Sequence, residues 1–363
     1  MASIQAKKIS FGMIVIAAVI VAIFFGFHFS SKNPDSKRAQ LLSFVPVDAT
    51  SAIFIDVDQL RASAFLTTLY SWTPHPAEDS DYKQFIADTG FNYERDLSEV
   101  LIAISNHGAA SSTLVMAEGE FDRKKIEAYL GRNSTPSQQG LLKVFRITAS
   151  PNDNAKPASL AFLTDQRIAI SDSENLESAL GAAKSKGIRA EWQLRFDRLA
   201  GSPLCAVIRQ DPAVQTVLAG QSPQLASFIN QLPWITLAGK PEGDILRVVA
   251  EGETLTDAAA SQLRDFLQGI QLLAQTGLND AKLRQSMNPE EREAYVELVR
   301  GTEIEKINRS EAKTVRVIVP ITAQFLKIAK VPHTGVAPGS TSDPSRPVDK
   351  NEPSSRHASS SKK

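Results

Sequence analysis

The chain has 363 residues, of which 42% are hydrophobic and 22% charged, and its 40 Lys plus Arg balance 40 Asp plus Glu. That balance gives no global sign of the basic surface that nucleic-acid binding needs. The single cysteine, Cys205, excludes an intrachain disulfide, a cysteine zinc cage and a cysteine-ligated cluster.

Residues 1–8 form a short N-terminal segment. The run ISFGMIVIAAVIVAIFFGFHF, Ile9 to Phe29, then carries no charge apart from a proton on His28. As a helix rising about 1.5 Å per residue it spans roughly 30 Å, the thickness of the bilayer hydrocarbon. A helix satisfies its own backbone polar groups, so lipid tolerates it. A cleaved secretion signal has a shorter apolar core and small residues at its cleavage site. Here the run is long and ends Gly26-Phe27-His28-Phe29, which suits an anchor better. Lys7, Lys8 and the α-amino group lie close to its N-terminal end; Lys32, Lys37 and Arg38 lie farther from its C-terminal end. This distribution favours a cytoplasmic N-terminus, a single-pass signal-anchor in the cell membrane and an extracytoplasmic soluble region.

Residues 30–40 are polar and read as a linker. About 300 residues then remain for folding, enough for one large domain or two ordinary ones. Ile53, Ile55 and Val57 alternate along a strand from Ala52 to Val57. Leu60, Phe65, Leu66 and Leu69 follow at helical spacing, and a second helical stretch holds Tyr82, Phe85 and Ile86. Strands are predicted at Val100–Ile104 and Thr113–Met116. A helix from Phe121 to Leu130 is capped by Asp122 and stopped by Gly131. Leu141–Ile147, Leu160–Leu163 and Ile168–Ile170 read as strands. A helix containing Leu176 and Leu180 follows, with Ser171 and Glu174 at capping-box spacing and Gly181 as its stop.

Residues 186–203 read as a connection, and the short basic cluster Lys184, Lys186 and Arg189 lies where it begins. The second half begins with the strand Leu204–Ile208, in which Cys205 behaves as a small buried hydrophobe. A helix candidate spans Pro223–Asn230. Trp234–Leu237 and Ile245–Glu251 form a hairpin around Lys240–Asp244. Leu263, Phe266, Leu267, Ile270 and Leu273 set an apolar stripe on a helix from Thr256 to Thr276. Asn288-Pro289-Glu290-Glu291 is a helix start. Two strands follow, Ile304–Ile307 and Lys313–Val319, the second broken by Pro320, and a closing helix runs from Ile321 to Ala329. The tail from Val331 has many Ser and Pro and few large apolar residues, so it is expected to be disordered.

The fold class expected is α+β: after the transmembrane helix, largely antiparallel sheets with helices on one face. Both halves, 41–185 and 204–330, can be written as strand, helix, two strands, helix, strand, the pattern of a diverged duplication.

Chemistry-bearing residues are sparse. Asp56 and Asp58 flank the exit of the first strand, where paired carboxylates serve acid/base work or a divalent cation; a solvated strand end is the plainer reading. His75 and His107 are too isolated to make a zinc site. His107 sits in the turn Ser105-Asn106-His107-Gly108, and adjacent side chains on a turn do not make a triad. No phosphate-binding glycine loop, metalloprotease helix or nucleophile elbow is present. No cofactor and no metal is expected. The catalytic candidates are therefore Asp56, Asp58 and His107. Trp72, Trp192 and Trp234 are interface anchors only if exposed.

The segment Val45-Pro46-Val47-Asp48-Ala49-Thr50-Ser51-Ala52 resembles the opening of uncharacterised bacterial membrane-anchored proteins of the DUF3352 type. Those begin, after an N-terminal anchor, with Pro-x-Asp-Ala and a strand. Thr89-Gly90-Phe91-Asn92-Tyr93-Glu94-Arg95-Asp96-Leu97 and Glu118-Gly119-Glu120-Phe121-Asp122 suit the same type. The resemblance spans residues 41–185. It implies an envelope protein and brings no catalytic residues. The functional expectation is a membrane-tethered envelope protein that binds or scaffolds. Its partner is expected to be another envelope protein, the cell wall or a second copy of the chain, with lipid held by residues 9–29. An envelope hydrolase using the carboxylate and histidine candidates is the alternative.

Overall fold

Ala52, Ile53, Phe54 and Ile55 are consecutive apolar residues, so the strand they form has two faces to bury. The computed structural model describes residues 34–72, 80–107, 110–134, 136–147, 157–173, 175–184, 188–210 and 231–329. Strand β1 (Ala49–Asp56) has both faces covered: Ala52 and Phe54 pack on one side and Ile55 on the other. The protein is α+β, with twelve described helices and one twelve-stranded sheet whose pairings are all antiparallel.

The sheet reads outward from its middle. One arm is β1, β2 (Leu97–His107), β3 (Ala110–Gly119), β7 (Arg167–Ser171), β6 (Ala158–Thr164), β5 (Leu142–Ile147) and β4 (Ser137–Gln139). The other is β8 (Leu204–Arg209), β9 (Trp234–Glu242), β10 (Ile245–Thr254), β12 (Lys313–Thr322) and β11 (Glu303–Asn308). The arms join where β1 pairs with β8, Ile53 opposite Ala206. In each arm three strands meander outward, helical chain follows, and the last strand returns to pair with the third. The helical chain is α6 (Arg123–Asn133) in the first arm. In the second it is α9 (Asp257–Asn279), α10 (Ala281–Ser286) and α11 (Pro289–Gly301). A helix also leads into each central strand: α1 (Pro34–Leu42) precedes β1 and α8 (Ala190–Arg198) precedes β8. The correspondence stops at α7 (Leu176–Lys184) and α12 (Ala323–Ala329), which pack in different clusters on opposite faces of the sheet.

Helices lie on both faces, not on one. Leu41 and Leu42 of α1, Leu176 and Leu180 of α7, and Trp192 and Phe196 of α8 pack on Phe54, Leu101, Met116, Cys205 and Val207. On the opposite face, α2 (Val57–Arg61) and α3 (Ala64–Trp72) place Leu60, Phe65, Leu66 and Leu69 against Ile55, Val100 and Ile102. Further out on that face, Ile126 and Leu130 of α6 meet Phe145, Leu160 and Phe162, while Ala260 and Leu263 of α9 meet Val315. The one-face expectation fails because central strands here are apolar at consecutive positions, so each side needs a cover.

Local signals explain several element ends. Asp122 accepts from the Lys125 N–H and caps α6, Thr256 caps α9 through the Ala259 N–H, and Asn288 caps α11 with Pro289 at its first position. The hairpin of β9 and β10 turns at Gly243, whose φ of 66° is strained for residues with a Cβ. Three expected stops are passed through. Gly181 lies inside α7, which runs to Lys184. Gly131 lies inside α6, which runs to Asn133, and Pro320 lies inside β12. Pro320 pairs opposite Arg247 on one side; on the other, β11 has already ended, with Glu303 opposite Ile318. A proline is tolerated where one edge of the ladder is open.

The segment read as a linker holds most of α1, and the segment read as a connection contains α8. Trp192 and Trp234 are 1% and 8% exposed and meet edge to face at 5.2 Å, so they are core residues and not interface anchors. The side chain of Trp72, the run from Ile9 to Phe29, His75, the candidate helix at Pro223–Asn230 and the tail from Val331 lie outside the described residues. No helix among the described residues is long and apolar enough to cross a membrane.

Trp192→Ala removes a fully buried indole from the junction of the arms and is expected to cost about 3–5 kcal/mol. Leu194→Ala, on the same helix but 42% exposed, is expected to change stability by less than about 0.5 kcal/mol. Urea unfolding of both variants checks this; equal losses would show that α8 does not seal the junction.

Candidate functional site

Alternation along a strand sends every second side chain to the same face, and antiparallel register then lines such residues up across strands. Asp56 pairs opposite Glu99, Glu99 opposite Glu118, and Glu118 opposite Arg167. The result is a row of three carboxylates and one guanidinium across β1, β2, β3 and β7. It lies on the face that α1 covers. Asp56, Glu99 and Glu118 are 6%, 5% and 7% exposed.

Two of the three acids are engaged. Asp56 caps α2, accepting from the Gln59 N–H at 2.8 Å and the Gln59 side-chain amide at 2.6 Å. Glu118 is paired with Arg167, whose guanidinium also donates to Gln40 of α1 at 3.0 Å. Glu99 stands between them with its Oε2 buried and without a hydrogen-bond partner. Burial first, then the neighbouring charges of Asp56 and Glu118, push its carboxyl up to about 8; Lys37 on α1 offsets part of this and Asp58 adds to it. Burial also raises Asp56, against the hydrogen bonds from Gln59. Glu99 therefore holds a proton at neutral pH, which lets three carboxyls share one row.

At the other end of the same face is a cleft of about 200 Å³. Asp48 and the hydroxyl residues Ser105, Ser112, Thr113, Ser171 and Ser178 line it, with α7 forming one wall. Ser105 and Ser112 face each other across β2 and β3. Ser105 donates to Asp48 Oδ1 at 3.3 Å, and Ser171 donates to the Thr113 carbonyl at 2.8 Å.

The sequence candidates do not assemble. Asp56 is a buried helix cap, where a solvated strand end was expected. Asp58 pairs with Arg61 at 2.9 Å. His107 ends β2, eight residues beyond Glu99, or roughly 26 Å along an extended strand; its side chain lies outside the described residues. No group of three or more His, Cys, Asp or Glu among the described residues is placed to hold a metal ion. Cys205 is fully buried, its thiol raised by burial, and donates to the Ser202 carbonyl at 3.1 Å. Glu99 and Glu118 were missed by reading the sequence for paired acids. Their signal is parity: each occupies the position two before or after a buried Leu101 or Met116, where a charge faces the core.

Because the folded-state value of Glu99 lies above its ordinary 4.5, its contribution to stability is fully present below about pH 4.5 and is lost as pH rises through 8. Glu99→Gln is expected to gain on the wild type across that window by on the order of 3 kcal/mol, the row titrating as a unit. Urea unfolding at pH 5 and pH 9 measures it; parallel pH dependence in both proteins would contradict the assignment.

No family model and no curated protein matches the chain. Two solved structures of the protein TP0453 are similar to it at a distance. Crystal form III has a TM-score of 0.43 at 11% identity, over 82% of this chain and 96% of that one. Crystal form IV has a TM-score of 0.43 at 12% identity, over 79% and 94%.

Proposed function

We propose that the chain is a membrane-tethered envelope protein whose folded body binds or scaffolds a partner. The observation that carries this reading is the seating of α1. Leu41, Leu42, Phe44 and Val45 are at most 5% exposed, and Arg38 donates to the Phe196 carbonyl of α8 at 2.9 Å while lying over the Phe54 ring. The apolar run from Ile9 to Phe29 ends only a few residues before this helix. A body bolted in this way to its own approach helix is held close to the bilayer with restricted freedom, which suits display of a broad surface. The matching order of strands in the two arms supports a diverged duplication joined between Ser185 and Pro203. The resemblance to bacterial anchored proteins of the DUF3352 type points to the envelope and away from a known enzyme. The hydrolase alternative gains no support from the positions of Asp56, Asp58 and His107.

Crosslinking the full-length chain in its native membrane, followed by mass spectrometry, tests the reading. A reproducible partner that persists when residues 331–363 are removed is expected, and a reporter fused after Lys363 should be active only outside the cytoplasm. Absence of any partner together with small-molecule turnover by the purified chain would contradict it.

A further inference from the structure

We infer that the cleft over β2, β3 and β7 is a binding site for a neutral polyhydroxyl ligand, a sugar unit of a glycan. This deepens the binding reading above and rests on it.

The chemistry of the lining selects the class. A hydroxyl both donates and accepts, and this cleft gathers several of them. Ser105 spends its proton on Asp48, so toward the cleft it acts as an acceptor; Ser171 donates to the Thr113 carbonyl and already accepts from the Ser173 N–H at 3.0 Å. Ser112 and Ser178 line it with hydroxyls that no group among the described residues engages. A ligand there must both donate and accept, as a sugar hydroxyl does. No Lys or Arg lines the cleft and the carboxylate of Asp48 does, so an anion is disfavoured and a neutral polyol is favoured. Its volume of about 200 Å³ lies below the range of roughly 300–1,000 Å³ for sites that take drug-sized molecules, which suits a single ring.

The same geometry disfavours an extended peptide. Peptides that add to a sheet need an open strand edge. Here β2 and β3 are interior strands paired on both sides, and the cleft lies on their face. The wall residues Pro46, Ala103, Leu114 and Ala179 form no deep apolar socket for a side chain. With no aromatic ring in the lining to stack on the sugar, affinity is expected in the millimolar range.

The test is saturation-transfer NMR on the full-length chain in detergent micelles. The probes are a tetramer of N-acetylglucosamine and, separately, a neutral tetrapeptide. Transfer to the sugar protons is expected in the wild type. It should fall to background in the double variant Ser112→Ala, Ser178→Ala, which removes only the two unengaged hydroxyls, and in Ser105→Val, which also crowds the cleft. Thermal melting of each variant certifies that the fold persists. No transfer to sugar in the wild type, transfer to the peptide alone, or undiminished sugar transfer in both folded variants would each overturn the assignment. None of these three results alters the partner found by crosslinking, so failure of the sugar site is distinguishable from failure of the binding reading.

Discussion

The architecture depends on one strand pairing, β1 against β8, at the centre of the sheet. These strands come from opposite halves of the chain, so their pairing closes a very long loop. The entropy of that closure grows only slowly with length, but it must be offset by burial at the junction. The structure concentrates burial there. Ala52 and Phe54 oppose Val207 and Cys205, and α1 and α8, the helices that lead into the two strands, cover this face together. Phe54, Leu101, Cys205, Trp192 and Phe196 are each 2% exposed or less. Arg38 ties the two helices by donating to the last carbonyls of α8. Without this seal, each arm would present an unpaired central edge, which is a hazard for aggregation.

Charge is handled differently in the two arms. In the second arm, the row level with Arg209 continues through Trp234 to Glu253. Glu253 is 3% exposed, yet Arg195 and Arg198 of α8 both bond to it, and Arg195 also lies 3.9 Å above the Trp234 ring. Glu251 on the same strand is paired with Arg309 and Arg316. A buried charge is tolerable when paired and hydrogen-bonded, and removal of a partner is costly. In the first arm, the third-strand acid Glu118 has Arg167, but the second-strand position is Glu99 where the other arm has Trp234. Neutralisation by a proton replaces neutralisation by a partner. The fold thus carries a titratable position next to the helix that leads toward the N-terminal apolar run.

Elements with strong local chemistry were legible in the sequence. The caps at Asp122 and Asn288, the β9–β10 hairpin around Gly243 and the long amphipathic α9 follow from residues close together in the chain. What was not legible rests on contacts between distant segments. The alternation of Ile53, Ile55 and Val57 suggested one polar face, because nothing local says that α1 and α8 will cover the other. α1 and α8 themselves are short and polar at many positions, so they read as linkers; only their inward faces, Leu41 and Leu42 or Trp192 and Phe196, mark them as structure. Gly131 passed as a stop because glycine ends a helix only where the backbone turns left-handed, and here Ser134 takes the terminal role. Of the candidate site, the acids at Asp56 and Asp58 were visible as a pair. The meaningful neighbours of Asp56 are Glu99 and Glu118, which register and not proximity in sequence brings to it. The hydroxyl cleft gave no linear motif because its parts come from β2, β3, β7 and α7.

On this reading α1 belongs to the cooperative core, so that the helix and the sheet are one mechanical unit. Native-state amide hydrogen exchange on the full-length chain tests it most directly, since opening free energies resolve the units that unfold together. Amides of Arg38 to Leu42 are expected to exchange only through global unfolding, with the same free energy as those of Phe54 in β1 and Val207 in β8. Rapid exchange across α1, while β1 and β8 keep full protection, would show that the helix is a loose leader and would contradict the account.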